Sequence, residues 1–359
     1  MTSSTAHKIL APLTAAAVAL GGLALAEKLP APASAVTQAI HTAYSPEESA
    51  AAGSAAPLRE ALSRMEGVSH QAAAVTGTEH QAVLDYWTEE RMAAAKPITS
   101  TVEGVLPLPQ DLPLPGDDVE RQAAPRPDSS GERWTAGGLV TRTTGKVYLT
   151  MDGRDFTCSA SVVDAANRST LVTAGHCAKD GRGSWARNWT FVPGHADGKS
   201  PYGRYTARDL LVAPQWSGRA DDSYDFAMVV VNTDGGKAVQ DRVGSQRIAF
   251  DTWTEERVRQ GTQVYTFGYP AASPYNGKHL YYCSGRTKAD AGGTSANGVR
   301  CSMTQGSSGG PWFTGFDTAT GRGTISSVVS FKYANDRRTQ YGPRFGQEAR
   351  DLYQNAARL

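Results

Sequence analysis

Gly306-Ser307-Ser308-Gly309-Gly310-Pro311, set just after Cys301 and followed by Trp312, is the stretch on which the reading of this chain turns. Glycines weaken helices and strands alike, so a serine set among three of them needs a physical reason. One reason is a tight loop that lifts a hydroxyl clear of the backbone and aims N–H groups at whatever the hydroxyl attacks. The other is an ordinary Gly/Ser turn, and these six residues alone do not separate the two.

The chain has 359 residues, 40% hydrophobic and 20% charged, with a net charge of +1. That fits globular protein and gives no ground for nucleic acid or an anionic membrane surface as partner. Lys8 precedes Ile9–Ala26, eighteen residues without a charge, and Ala24-Leu25-Ala26 or Ala33-Ser34-Ala35 offers a small-residue cleavage site. The pattern predicts a secretory signal peptide within residues 1–35, with an uncleaved membrane anchor as the alternative. Four cysteines, Cys158, Cys177, Cys283 and Cys301, fit an exported protein, and their local spacing predicts the short-loop disulfides Cys158–Cys177 and Cys283–Cys301. Zinc is the competing reading, but the chain lacks both C-x-x-C and H-E-x-x-H.

Residues 36–133 form a distinct region. It is Ala-rich to about Ile98, with a helix start at Ser45-Pro46-Glu47-Glu48 and helical patterns over Pro57–Gly67 and Glu79–Lys96. Its apolar content is too low for an independent core, so it is expected to dock on something or stay partly disordered. From Pro107 to Pro127, repeated Leu-Pro units predict an extended, stiff linker. Beyond Trp134 short β-rich runs follow one another: Lys146–Thr150, Phe156–Val163, Leu171–Ala174, Phe226–Val231, Val264–Phe267, Leu280–Cys283 and Ile325–Phe331. No long helical pattern separates them until Gly346–Leu359, so residues 134–359 read as an all-β sandwich or barrel with a terminal helix.

A serine hydroxyl needs a neighbouring base, and the base needs an orienting group. Beyond the linker only His176, His195 and His279 could serve as the base. His176 ends the apolar run Leu171–Ala174 beside Cys177, a rigid mount, whereas His195-Ala196-Asp197 reads as a turn. Asp225 directly precedes an apolar strand that can bury its carboxylate, while Asp221 and Asp222 read as a solvated acidic turn. Gly306-x-Ser308-x-Gly310 also fits a hydrolase nucleophile elbow, but no histidine follows Ser308.

Thr173-Ala174-Gly175-His176-Cys177, Asp225-Phe226-Ala227 and Gly306–Pro311 together resemble the three catalytic motifs of trypsin/chymotrypsin-like serine proteases, spaced 49 and 83 residues apart. The resemblance covers Thr135–Leu359, 225 residues, and has the look of the secreted bacterial, actinobacterial-type branch. It implies two six-stranded antiparallel β-barrels with a C-terminal helix, behind a signal peptide and an Ala/Pro-rich pro-region. It further implies Ser308 as nucleophile, His176 as base, Asp225 as orienting acid, and an oxyanion hole from the N–H groups of Gly306 and Ser308. Ser302 would lie at the pocket base, Ser330 would contact the acid, and Ser330, Phe331 and Lys332 would line the substrate. Lys332 at the pocket rim could attract an acidic side chain. Cys158–Cys177 resembles the family disulfide that brackets the histidine loop. The expected protein is a monomeric zymogen acting on proteins or peptides, with no metal or cofactor, meeting a membrane only during export.

One departure bears on control. The family carries an aspartate before the nucleophile, which pairs with a new N-terminal ammonium, and here that position is Ser307. Gly138-Leu139-Val140 is therefore not an insertion terminus, and residues 36–133 read as a propeptide removed at the Pro-rich linker. The alternatives to a secreted endopeptidase are a catalytically silent binding protein of the same fold and an envelope-tethered protease.

Overall fold

Alternation and turn chemistry account for the first half of the fold. Strands β4 (Thr144–Met151) and β5 (Arg154–Val162) pair in register Met151↔Arg154, joined by Asp152-Gly153 with φ of 49° and 75°. Two positive φ values are what a tight hairpin matching the strand twist requires, and Asp-Gly supplies them. The computed structural model describes residues 67–98 and 125–359. The expected signal peptide, the helix start at Ser45, residues 57–66 of the predicted helix and the Pro-rich run to residue 124 lie outside them.

Strands β4, β5, β6 (Thr170–Thr173), β7 (Arg187–Pro193), β8 (Tyr205–Val212) and β9 (Ala227–Val231) form an antiparallel ring, closed by β8 pairing with β9. This is the expected first barrel. β9 reads Ala-Met-Val-Val-Val without a polar residue because all five positions are buried. Closure removes the open sheet edges that would otherwise invite aggregation.

The second half divides into two sheets. Strands β3 (Ser129–Arg133), β10 (Arg247–Ile248), β11 (Gln263–Gly268), β12 (Tyr281–Arg286), β15 (Pro311–Asp317) and β16 (Arg322–Val328) form a six-stranded sheet. Its two-residue β10–β16 pair is parallel. Strands β13 (Lys288–Ala289), β14 (Asn297–Arg300) and β17 (Thr339–Gly342) form a three-stranded sheet. The split falls where the chain leaves β16. Val329 exchanges backbone hydrogen bonds with Gly309 and Gly310, and Ser330 N donates to Tyr341 O. The glycine-rich loop and β17 thus take the pairing a continued β16 would have used. β3 lies ahead of the boundary expected at Trp134, within the residues 36–133 expected as propeptide and linker, yet it pairs with β12 of the second half. Disulfides Cys158–Cys177 and Cys283–Cys301 form as expected, each contributing about 3 kcal/mol in the chain-entropy account. The C-terminal helix, Gln347–Ala356, buries Ala349, Leu352 and Ala356 in a cluster with Phe226, Val230 and Phe345.

Residues 67–98 dock, one of the two outcomes expected of this region. β1 (Ser69–Ala72) pairs antiparallel with the end of β8, and β2 (Lys96–Pro97) pairs parallel with the start of β5. Between them lie α1 (Gly77–Tyr86) and α2 (Glu89–Ala94). The single helix expected over Glu79–Lys96 is two, because Thr88 caps a second helix by accepting from Arg91 N. The break turns Trp87 inward, where it is 1% exposed, packs on Tyr148 and Val192, and donates Nε1–H to Asn188 O. Arg204 donates to the carbonyls of Leu84 and Trp87. Trp87→Ala should weaken docking of this strap by about 3–5 kcal/mol. Hydrogen exchange should then show lost protection in β1 with protection in β4 and β5 retained.

Candidate active site

The His176 loop is built to be stiff. β6 delivers the chain to the tight turn Gly175–Cys177, fixed by the bond from Cys177 to Cys158 and by Trp189 Nε1–H donating to Cys177 O at 3.0 Å. Gly175 cannot carry a side chain, since a Cβ there would stand 2.9 Å from Asp225 Oδ1 and 3.0 Å from the Trp216 ring. The backbone therefore closes onto the carboxylate. His176 N donates to Asp225 Oδ1 at 2.7 Å, and His176 Nδ1 pairs with Oδ2 at 2.8 Å. Ser330 Oγ, from the second half of the fold, also donates to Oδ2. Asp225 is 1% exposed. Burial alone would push its carboxyl up, but the His176 charge, the hydrogen bonds from the His176 ring and Ser330, and the His176 N–H together hold it below the ordinary carboxylate value.

An ionised Asp225 requires Nδ1 to be the protonated nitrogen. In the neutral ring Nε2 then carries the lone pair, and it is buried without a hydrogen-bond partner among the described residues.

The glycine-rich loop lies beside the turn that carries His176. Ser159 N, one residue past Cys158, donates to Ser308 O at 2.7 Å, and Cys177 Sγ stands 3.7 Å from the same oxygen. Ser159 Oγ donates to Gly306 O and accepts from Tyr269 N, both at 2.9 Å. Gly306 has φ of 97°, and a Cβ there would stand 2.8 Å from Tyr269 O. Gly310 has no room either, as its Cβ would overlap the Phe267 carbonyl. The amides of Ser307, Gly309 and Gly310 donate to Thr304, Val329 and Ser307 carbonyls. Those of Gly306 and Ser308 have no acceptor among the described residues. Ser307 is 2% exposed and donates Oγ–H to Thr304 O, and Leu139 N and Val140 N donate to Thr320 O and Gly321 O. The Gly138–Val140 backbone is thus zipped in as mid-chain.

The remaining predicted residues fall as follows. Ser302 is exposed, bonded to Ser130 O and 3.1 Å from Tyr275 Oη. Phe331 is buried and stacks on Tyr341 with an interplanar angle of 7°. Lys332 directs its ammonium to Cys301 O and Arg337 O, at 2.6 and 2.8 Å, and burial pulls its pKa down to about 8. The two carbonyls hold it, rather than leaving it free at a rim. His195 is a core residue, edge-on to Tyr148 and Tyr269, with burial and then the Lys146 charge lowering its pKa to about 3.

Three contributions were not legible in the sequence. Ser159 is an ordinary strand serine until its contact with Gly306 is known. Tyr275 and the Ser130-Gly131 backbone reach Ser302 from distant segments. Asp222, read as part of a solvated turn, is half-buried. Cys158, His176 and Cys177 present atoms within 4.8 Å of one another. They make no metal set, because the two sulfurs are bonded to each other and Nδ1 is committed to Asp225.

The sequence matches the trypsin-like peptidase domain over residues 158–321. Among solved structures it is similar to the protease Anisep from Arthrobacter nicotinovorans, with 38% identity, a TM-score of 0.58, and coverage of 63% of this chain and 99% of that one. It is also similar to the thermostable serine protease AL20 from an extremophilic microorganism, with 39% identity, a TM-score of 0.57, and coverage of 61% and 98%. A Glu endopeptidase at 19% identity and a TM-score of 0.51 shares the fold, with 65% and 98% covered. Among curated proteins, the extracellular metalloprotease of Bacillus subtilis (strain 168) is 33% identical over 73 residues, 20% of this chain and 23% of that protein's length.

Burial first, and then the Asp225 charge, push Asp222 up to about 6 even though His176 pulls the other way. A carboxyl raised in the folded state adds stability below its ordinary value near 3.8, and that stability is lost as pH rises through about 6. Asp222→Asn should therefore stabilise the protein at pH 7 by about 1 kcal/mol, allowing for partial exposure. Urea unfolding should show the gain at pH 7 and none below pH 4.

Proposed function

The chain belongs to the trypsin-like serine protease family and is a serine endopeptidase, and on that premise we propose that Ser308, His176 and Asp225 cut peptide bonds through an acyl-enzyme. The observation that carries the assignment is the Asp225–His176 pair, which presents Nε2 as the basic nitrogen. Nε2 takes the Ser308 proton as Oγ bonds to the scissile carbonyl carbon. The imidazolium, stabilised by Asp225, returns the proton to the leaving amine as the C–N bond breaks. Water then repeats the sequence on the ester, with Nε2 again the base, releasing the acid and restoring Ser308. The Gly306 and Ser308 N–H groups receive the oxyanion, and their lack of acceptors among the described residues supports that role.

Ser330–Lys332 is the proposed pairing segment for the substrate backbone ahead of the scissile bond. Ser302 with the Tyr275 hydroxyl gives an uncharged polar floor, and Lys332 is engaged by carbonyls. An uncharged residue before the cut fits best. The substrates are proteins or peptides. The signal sequence and two disulfides support secretion, and residues 36–133 are the proposed pro-region. No helix among the described residues is long and apolar enough to cross a membrane.

Ser308→Ala should lower kcat on a peptide substrate by about a millionfold. Gly306→Ala, whose Cβ would stand 2.8 Å from Tyr269 O and so displace an oxyanion donor, should lower kcat by about a hundredfold to a thousandfold and cost stability as well. Steady-state kinetics on processed protein checks both, and full activity in Ser308→Ala would reject the assignment.

A further inference from the structure

The last described strand of the strap pairs with β5, the strand that also holds the Ser308 loop. Side chains alternate along a strand, and so do backbone groups, so residues i and i+2 present their N–H and C=O to the same edge, about 7 Å apart. On β5, Ser159 N donates to Ser308 O, and two residues back Thr157 O accepts from Ile98 N at 3.1 Å. Lys96–Ile98 and the loop carrying Ser308 are therefore neighbours on one edge of one strand. β6 pairs only with Ser161 and Val162, so among the described residues β2 covers an otherwise open stretch of that edge.

The contact is anchored on both sides. Asp155, one residue before the pairing begins, accepts from Tyr86 Oη at 2.7 Å and pairs with Arg91 at 3.0 Å. Ile98 is 8% exposed and packs in the barrel cluster with Val147, Leu149 and Cys158. On the opposite side of Ser308, Gly309 and Gly310 bond to Val329, next to the proposed pairing segment Ser330–Lys332. A substrate laid along that segment must carry its residues beyond the scissile bond out over the β5 edge.

We propose that Lys96–Ile98 is an autoinhibitory strand that occupies the place of the departing segment of a substrate. This rests on the assignment of Ser308 as nucleophile. The full-length chain should then accept substrates that end at the scissile bond and resist those that continue past it. Removal of residues 67–98, or release of their last strand, opens the edge to long peptides.

The test compares the full-length chain with Ile98→Pro, which abolishes the N–H given to Thr157 O, chain length being verified by mass throughout. One substrate is a peptide p-nitroanilide; the other is a quenched fluorescent peptide with the same acyl sequence and four residues beyond the bond. The ratio of peptide to anilide kcat/KM should rise roughly tenfold or more in Ile98→Pro, the equivalent of one strand hydrogen bond and its packing. Ile98→Asp should shift it in the same direction and serves if the proline variant does not fold. An unchanged ratio with the anilide hydrolysed, or equal suppression and equal relief of both substrates, would overturn the inference alone. No anilide hydrolysis in any of the proteins would overturn the Ser308 assignment and the inference with it.

Discussion

One buried carboxylate ties the molecule together. Burying an ion costs several kcal/mol unless its lone pairs are engaged, and breaking a buried pair costs about 3–5 kcal/mol because the partner charge is left stranded. Asp225 meets this constraint with donors from both halves of the fold, the His176 backbone and ring from the first barrel and Ser330 from the second. The carboxylate is therefore satisfied only when the two halves dock in one relative position, the one in which the His176 turn and the Ser308 loop are neighbours through Cys177 Sγ. Gly175 is part of the same requirement, since any side chain there would hold the turn off the carboxylate.

The Ser308 loop is held to the same frame by a second set of contacts. Ser159 spans Gly306 O and Tyr269 N through one hydroxyl, and its backbone N holds Ser308 O. The glycines around Ser308 are thus explained by close approach as much as by conformation. Gly310 passes against Phe267, and Gly306 takes a positive φ beneath Tyr269 and Ala271. An ordinary Gly/Ser turn would satisfy its amides or expose them to water. Here the two amides flanking Ser307 are left without acceptors among the described residues while their neighbours are paired.

Much of this was legible because it is local. The Asp152-Gly153 hairpin, the apolar run of β9, the terminal helix and both disulfides depend on residues fewer than twenty apart. His176, Asp225 and Ser308 stand out as candidates in the sequence because each sits in a short run whose composition is odd without a chemical reason. What escaped depends on distant partners. β1 and β2 are two to four residues long and take their strand character from β8 and β5, more than fifty positions away in the chain. The division of the second half into two sheets follows from the loop at Gly309-Gly310 capturing Val329, which no strand propensity encodes. Asp222 reads as a solvated turn because its neighbours are polar, and its half-burial arises from tertiary packing. Thr88 is different, since Thr-Glu-Glu is a local helix-start signal, hidden inside a longer helical pattern.

Ser307 stands where an inserted N-terminal ammonium would need a carboxylate, and its hydroxyl is committed to Thr304 O. The described part of the upstream region grips the first barrel, and its strand β2 pairs with the strand that holds the Ser308 loop. The chemistry proposed for Ser308 with His176 leaves a covalent trace on the chain. Its most direct test is rapid-quench mass spectrometry of processed enzyme with an activated ester substrate. A stoichiometric burst of leaving group and an acyl adduct on the peptide containing Ser308 are expected, both abolished in His176→Ala. Turnover without an adduct, or an adduct on another residue, would contradict it.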